Sequence, residues 1–381
     1  MRFTLSDDQE MIRATVARFA DQILAPGVAK RDHEGTFPMQ EVMQAAKLGL
    51  LGMSIPEEWG GAQMDSISSA LAIMEIARVC PSTAVTISVT NSVCAYPIWR
   101  FGTDQQRQRY LRPLASGEFL GGFCLTEPQA GSDATNQKTT AVRKRDVYIL
   151  NGTKIWVTNA PLAKVFVVMA VTDSSGAKRG VSAFIVTPDM PGFSFGKTEA
   201  KMGLKASSTA AVILDNCEVP AENLLGREGD GMRIPFHSLD GGRIGIAAQA
   251  VGIARGALNE AVRYAKDRTA FGRPIGQHQA IAFQIADMET ELDAAYLMTL
   301  RAADLRDSHP DQVGTAAAKA KLYASEMCNR VAYRAVQIHG GYGFSREYPV
   351  ERFYRDARVT TLYEGTSEVQ RIVISRAILR A

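Results

Sequence analysis

The stretch VYILNGTKIWVTN, residues 147–159, decides how the chain divides. Its two halves, VYIL (147–150) and KIWVTN (154–159), are rich in the β-branched and aromatic residues that suit a pleated surface. Between them, Asn151-Gly152 predicts a two-residue hairpin turn, because both residue types tolerate the positive φ that such turns need. Similar runs follow at VFVVMAVT (165–172), VSAFIVT (181–187) and AAVILD (210–215), punctuated by Gly, Asn, Asp and Pro. No helical stretch of useful length interrupts them. Residues 121–235 therefore read as an antiparallel sheet or barrel, not a βαβ unit.

Outward from this block the period changes. Met11, Val16, Phe19 and Ile23 recur at near-helical spacing, as do Leu71, Met74 and Ala77. Ser6-Asp7-Asp8-Gln9 has the form of a capped helix start, and the turn IPEEWGGAQMD (55–65) separates two helical blocks. On the far side, Ile281, Ile285, Met288, Leu292 and Ala295 step by four, three, four and three. Long helices with short connections imply a bundle. The expected fold is α+β in three parts: an N-terminal helical domain (1–120), a middle antiparallel β-barrel domain (121–235) and a C-terminal four-helix-bundle domain (236–381).

The bulk numbers exclude several function classes. With 43 basic and 40 acidic residues the formal net charge is +3, which gives no electrostatic case for nucleic acid or an anionic membrane. No apolar run reaches the roughly 18–20 residues that span a bilayer. The N-terminus lacks the uninterrupted apolar core of a signal peptide. Cys80, Cys94, Cys124, Cys217 and Cys328 form no C-x-x-C pair and are odd in number, so reduced thiols and a cytoplasmic setting are expected. The five histidines have no ligand spacing, so no metal site is expected, and His339 in its glycine-rich turn suits a backbone hydrogen bond. A nicotinamide-binding Rossmann domain, a P-loop and a serine hydrolase all lack their motifs.

Five polar, glycine-containing stretches stand out: LTEPQAGSD (125–133), KIWVTNA (154–160), DRTAFGRPIGQHQA (267–280), QIHGGYGF (337–344) and LYEGTSEVQR (362–371). Each alone has a plain reading. The first could be a surface loop, Trp156 a core aromatic, and the third a helix-to-helix connection. In this order, on a helical–β–helical frame, they resemble the acyl-CoA dehydrogenase family of flavoproteins over essentially the whole chain. The resemblance tilts toward short- and medium-chain and branched-chain bacterial members.

The resemblance implies FAD, an acyl-CoA substrate and the following roles. Phe123, Leu125, Thr126, Gly131 and Ser132 would hold the flavin and its phosphate, with Ser132 also near the thioester arm. Trp156 would cover the flavin, and Thr158 would bond near its N5, in a strand where Val157 replaces the family's isoleucine. Arg268, Phe271 and Gln279 would hold the diphosphate and adenine of a neighbouring subunit, and Gln337, Gly340 and Gly341 would reach the same cofactor. Asp240 and Arg243 would contact the CoA portion. Gly365, Thr366 and Glu368 would surround the substrate carbonyl and flavin. The physics agrees: a planar guanidinium suits a diphosphate, glycine lets backbone approach closely, and an aromatic face suits a flat ring.

The remaining question is Glu364. Ser367-Glu368-Val369-Gln370 fits an S-x-x-Q capping box, on which reading Glu364 is one more surface acid. On the resemblance it is the general base for α,β-dehydrogenation, and Ser367 would cap the helix that fixes it. Members that carry the base in the earlier helix place it where this chain has Gly242, which cannot act. Members for glutaryl thioesters carry an arginine where this chain has Ala84. The implied enzyme passes electrons to electron-transferring flavoprotein and works as a homo-oligomer, with a tetramer expected. An oxygen-using acyl-CoA oxidase is the first alternative, disfavoured by the compact length. A non-catalytic flavin- and CoA-binding relative is the second, disfavoured by Glu364.

Overall fold

The computed structural model describes residues 4–173 and 180–379. The N-terminal helices are α1 (Asp7–Phe19), α2 (Val28–Glu34), α3 (Met39–Lys47), α4 (Ser66–Val79), α5 (Pro81–Val89), α6 (Tyr96–Phe101), α7 (Asp104–Gln106) and α8 (Arg112–Ala115). The Ser6 cap forms as expected, with Ser6 and Gln9 exchanging side-chain and backbone hydrogen bonds. Val16 and Phe19 are buried, whereas Met11 of the same predicted stripe is 60% exposed.

Strands follow: β1 (Gly121–Cys124), β2 (Thr140–Lys144), β3 (Val147–Thr158), β4 (Val165–Asp173), β5 (Gly180–Val186), β6 (Phe193–Thr198), β7 (Thr209–Pro220) and β8 (Leu224–Leu225). They form one sheet in the order β6-β7-β3-β2-β4-β5-β8, with β1 on β4. The expected barrel is corrected: β6 and β8 end the sheet, so it stays open. It is also not purely antiparallel, since β1 runs parallel to β4.

The hairpin expected at Asn151-Gly152 is overturned. The turn between β2 and β3 sits at Arg145-Asp146, flanked by the Lys144–Val147 pair, and β3 runs straight through Asn151-Gly152. There the register against β7 shifts between Leu150 and Gly152, a bulge. A Cβ on Gly152 would lie 2.4 Å from the Thr139 hydroxyl, and Asn151 Oδ1 accepts from Asn216 N at 2.8 Å. Close packing and a cross-strand bond thus use the dipeptide that isolated turn chemistry would have used. A second shift lies between Lys154 and Val157. Bulges re-aim side chains, and here Trp156, at φ +59°, is 58% exposed.

The C-terminal part opens with α9 (Arg233–Asp267), followed by short strands β9 (Thr269–Ala270) and β10 (Arg273–Pro274). Then come α10 (Gln279–Ser308), α11 (Val313–His339), α12 (Val350–Ala357) and α13 (Ser367–Leu379). Helix α9 packs on α10 and α11, and α13 on α11. Helix α4 joins this bundle through α9, where a Cβ on Gly252 would be 2.3 Å from the Met74 carbonyl oxygen. One apolar cluster therefore runs through all three parts, with Leu71, Phe166, Ile253 and Leu292 among its members.

A buried ion pair ties the 125–133 loop to β3. Lys154 Nζ lies 2.7 Å from Glu127 Oε1, with side chains 0% and 2% exposed. Glu127 also accepts from Lys138 N (2.6 Å) and Thr139 N (3.1 Å), and Lys154 donates to Gln137 Oε1 (3.0 Å). Burial raises the Glu127 pKa, but these donors outweigh it and hold the carboxyl at about 2. A carboxyl held below its unfolded value stabilises above that value, and the contribution is lost as pH falls toward about 2. Removing one partner strands a buried charge, which typically costs about 3–5 kcal/mol. Glu127→Ala should therefore lower the urea midpoint followed by near-UV circular dichroism. Glu127→Gln with Lys154→Met should recover part of the loss.

Candidate active site

Between Thr361 and α13 the chain turns through two consecutive left-handed residues, Glu364 (φ +53°) and Gly365 (φ +83°). The first is strained for a side-chain-bearing residue and needs outside support. That support falls on the carbonyls. Gln370 Nε2 donates to Glu364 O (3.1 Å) and Gly365 O (2.9 Å), and Lys321 Nζ donates to Gly365 O at 2.7 Å. The cap expected from Ser367 is corrected. Thr366 Oγ1 accepts from Val369 N at 3.3 Å, so Thr366 is the N-cap, while Ser367 Oγ is buried without a hydrogen-bond partner. Gln370, expected to close a capping box, instead braces the turn.

The turn aims the Glu364 carboxyl at α9. A Cβ on Gly242 would lie 2.5 Å from Glu364 Oε2 and 2.9 Å from its carboxyl carbon. Oε2 is buried and makes no hydrogen bond. Burial raises the Glu364 pKa to about 7, and the nearby positive charges of Arg243 and Lys321 limit the rise. Arg243 is 8% exposed and bonds Asp240 Oδ1 through Nη1 at 2.9 Å. Asp240 is itself raised by burial, against the pull of Arg243. Behind the turn, the Tyr363 hydroxyl bonds Gln249 Oε1, and Gln249 donates to the Pro81 carbonyl at 2.9 Å. The structure thus brings Glu364, Gly365, Gly242, Arg243 and Asp240 together and adds Lys321 and Gln370. Thr366, the N-cap, and exposed Glu368 in the first turn of α13 follow.

The other predicted residues form two further surfaces. Phe123 in β1, Leu125 and Thr126 just after it, and Thr158 beside exposed Trp156 in β3 are half-buried neighbours of the loop. Ile155 N donates to Thr126 O at 2.9 Å, which ties strand to loop. Gly131 and Ser132 are exposed at the loop tip, and a Cβ on Gly131 would touch nothing within 4 Å. Elsewhere, Arg268, Gly340 and Gly341 line a cleft of about 580 Å³ with Tyr264, His339 and Tyr342. None of Thr126, Ser132, Trp156 or Thr158 lines it. Phe271, 93% exposed at φ +51°, and exposed Gln279 and Gln337 lie at chain positions flanking this cleft's residues. His339 Nδ1 meets the Ala335 carbonyl oxygen at 2.8 Å, as its turn suggested.

Models of the acyl-CoA dehydrogenase N-terminal, middle and C-terminal domains match residues 6–118, 122–217 and 229–379. The chain belongs to the acyl-CoA dehydrogenase family. The short-chain-specific acyl-CoA dehydrogenase of Clostridium acetobutylicum is 45% identical over 381 residues, all of both chains. Butyryl-CoA dehydrogenase from Megasphaera elsdenii superposes with a TM-score of 0.97 at 44% identity, covering both chains fully. A chain solved in work on the electron transferring flavoprotein of Acidaminococcus fermentans gives 0.98 at 49% identity, again over both full chains.

The two outer surfaces fit the FAD that family membership implies. An uncovered indole re-aimed by a bulge suits a flat ring. Open backbone at Gly131, Gly340 and Gly341, with an exposed guanidinium at Arg268, suits a diphosphate. Lys321 and Glu127 were not singled out from sequence. The signal for Lys321 was its phase: it lies four residues after Ala317 and three before Ala324 on a buried stripe of α11. The Gly242 contact yields a direct prediction. Gly242→Ala should keep FAD bound but displace the Glu364 carboxyl, lowering flavin reduction by a short acyl-CoA about tenfold or more in anaerobic stopped flow.

Proposed function

We propose that the protein is an FAD-dependent dehydrogenase of short acyl-CoA thioesters, with Glu364 as the base that takes the α-proton. The observation that carries this reading is the Glu364 carboxyl itself, with Oε2 buried, unbonded and pressed against a glycine. A general base needs a pKa near working pH, and burial brings Glu364 to about 7. The proton moves from the substrate α-carbon to the Glu364 carboxylate. The Glu364 backbone N–H makes no hydrogen bond among the described residues. It is therefore available to the thioester carbonyl, where negative charge develops as the α-proton leaves. Bound FAD supplies the acceptor for the β-hydrogen, which departs as hydride. Arg243, oriented by Asp240, presents a cation for the CoA portion.

Likeness to short-chain-specific and butyryl-CoA enzymes supports a short acyl chain. Ala84, fully buried in α5 where glutaryl-type members carry arginine, supports a monocarboxylic substrate. The Acidaminococcus likeness supports electron-transferring flavoprotein as acceptor. Five buried free cysteines support a reducing cytoplasm. Among the described residues no helix is long and apolar enough to cross a membrane. That none of Thr126, Ser132, Trp156 or Thr158 lines the Arg268 cleft supports cofactor sites completed by a neighbouring subunit, and family membership supports a tetramer.

Glu364→Gln should keep the yellow flavin and bind acyl-CoA yet lose about 10²–10⁴-fold in the anaerobic rate of flavin bleaching. A near-normal rate would leave Glu364 as a surface acid. In the wild type the base works only when ionised, so the reduction rate should climb with pH through about 7 and level off above it. For the shared site, co-expressed Arg268→Glu and Glu364→Gln subunits, each inactive alone, should regain activity in mixed assemblies. If Arg268 serves its own chain, every site carries a defect and no activity returns.

A further inference from the structure

The base sits beside a buried cation that the reaction as described does not use. Lys321 is 0% exposed, in the first half of α11, and its ammonium reaches the Gly365 carbonyl at 2.7 Å. No carboxylate within salt-bridge distance pairs with it among the described residues. Burying an unpaired ammonium opposes folding, and a methionine would fill the same space without that cost. Support of the left-handed turn does not require the charge either. Gln370 already donates to both the Glu364 and Gly365 carbonyls.

We infer that Lys321 is a positioning residue for dehydrogenation: its buried positive charge holds Glu364 ionised at the pH of turnover. The inference rests on the reading of Glu364 as the base. The groups facing the pair from each packed element can be named. Helix α9 contributes Arg243, already paired with Asp240; α11 contributes Lys321 and Glu326; Tyr363 flanks the turn; α13 contributes Glu368 and Arg371. Arg371 lies 3.6 Å from Glu326 and 3.7 Å from Glu368, so those two acids have a cation of their own. Lys321 is left as a cation without such a partner beside the turn. The effect is mutual: burial lowers the Lys321 pKa to about 8, and the Glu364 charge opposes that fall. Below about 8 the ammonium is charged and favours the Glu364 carboxylate. Without it, burial would push the Glu364 pKa upward and leave less base at neutral pH.

The test separates charge from hydrogen bond. Lys321→Gln keeps an amide donor for the Gly365 carbonyl but removes the charge; Lys321→Met removes both, and Lys321→Arg keeps the charge. Each variant is purified as the FAD-loaded assembly, and anaerobic reduction by butyryl-CoA is followed from pH 5.5 to 9.5. The wild-type midpoint is expected near 7, and Lys321→Gln should raise it by about one pH unit or more, equivalent to about tenfold less ionised base below the midpoint. Lys321→Met should do the same, and serves if the glutamine variant fails to assemble. Lys321→Arg should stay near wild type. Affinity for a non-oxidisable acyl-CoA thioether should change by less than about threefold, since the loss lies in the proton step. An unmoved midpoint in the charge-removed variant overturns the inference, whether or not the plateau rate falls. Glu364→Gln, run in parallel, keeps the two readings apart. If it reduces flavin normally, the base assignment fails. If it is inert while the Lys321 midpoints stay put, only the role of Lys321 fails.

Discussion

A carboxylate with one oxygen sealed from water and left unbonded is the constraint around which this molecule is arranged. Ionised carboxylates resist burial, and the usual remedy is a direct partner. Glu364 has cations nearby but no hydrogen bond at Oε2. A paired base would be a poor one, because its lone pair would be occupied and its affinity for a proton low. The surrounding structure instead supplies charge at a distance. Arg243 and Lys321 moderate the burial, while Gln370 and Lys321 hold the backbone that bears the carboxyl. Strain in the backbone, desolvation of the acid and an uncompensated lysine meet within a few residues. Such a concentration of unfavourable terms marks a site selected for chemistry more than for stability.

The frame explains how that concentration is tolerated. Helices α4, α9 and α11 share one apolar core with the sheet, so the turn before α13 is anchored on elements that cannot shift independently. The sheet uses a different device at its own functional edge. Its loop is fastened by the Glu127–Lys154 pair, which is fully satisfied, and its exposed indole stands on a bulge whose register is fixed on both sides. Satisfied charge builds the scaffold, and unsatisfied charge is kept for Glu364, the proposed base.

Much of this was legible in the sequence. Helical and two-residue periods separated the three parts, and the five polar islands fall on three separate surfaces of the structure: the Glu364 turn, the Trp156 strand with its loop, and the Arg268 cleft. The errors share one cause, which is that local chemistry admits more than one partner. Asn151-Gly152 suits a type I′ turn as well as a bulge, and only Thr139 and Asn216, distant in sequence, select the bulge. Thr366 and Ser367 carry equivalent hydroxyls one position apart, and the left-handed Gly365 turn decides which one faces Val369 N. An open sheet and a closed one have the same strand pattern, because closure depends on whether the two end strands meet. Lys319 and Lys321 look alike in AAAKAKLYASE, yet helix phase buries one and exposes the other.

Helix α9 carries Gly242 and Arg243 near one end, and the Arg268 loop follows its other end after 35 helical residues. At about 1.5 Å per residue, Arg243 and Asp267 stand about 36 Å apart along a single rod. If Arg268 serves a neighbouring cofactor, this rod is a ruler that sets the distance from one catalytic centre to the next. Its length can change only in whole residues, and each added residue would also swing the distal loop by about 100°. On that reading, substitutions away from such fixed points as Gly242, Arg243, Gln249 and Gly252 leave the distance unchanged, whereas insertions and deletions within the rod alter it. On that reading the residue count of α9 is a structural parameter of the proposed assembly as much as of the chain.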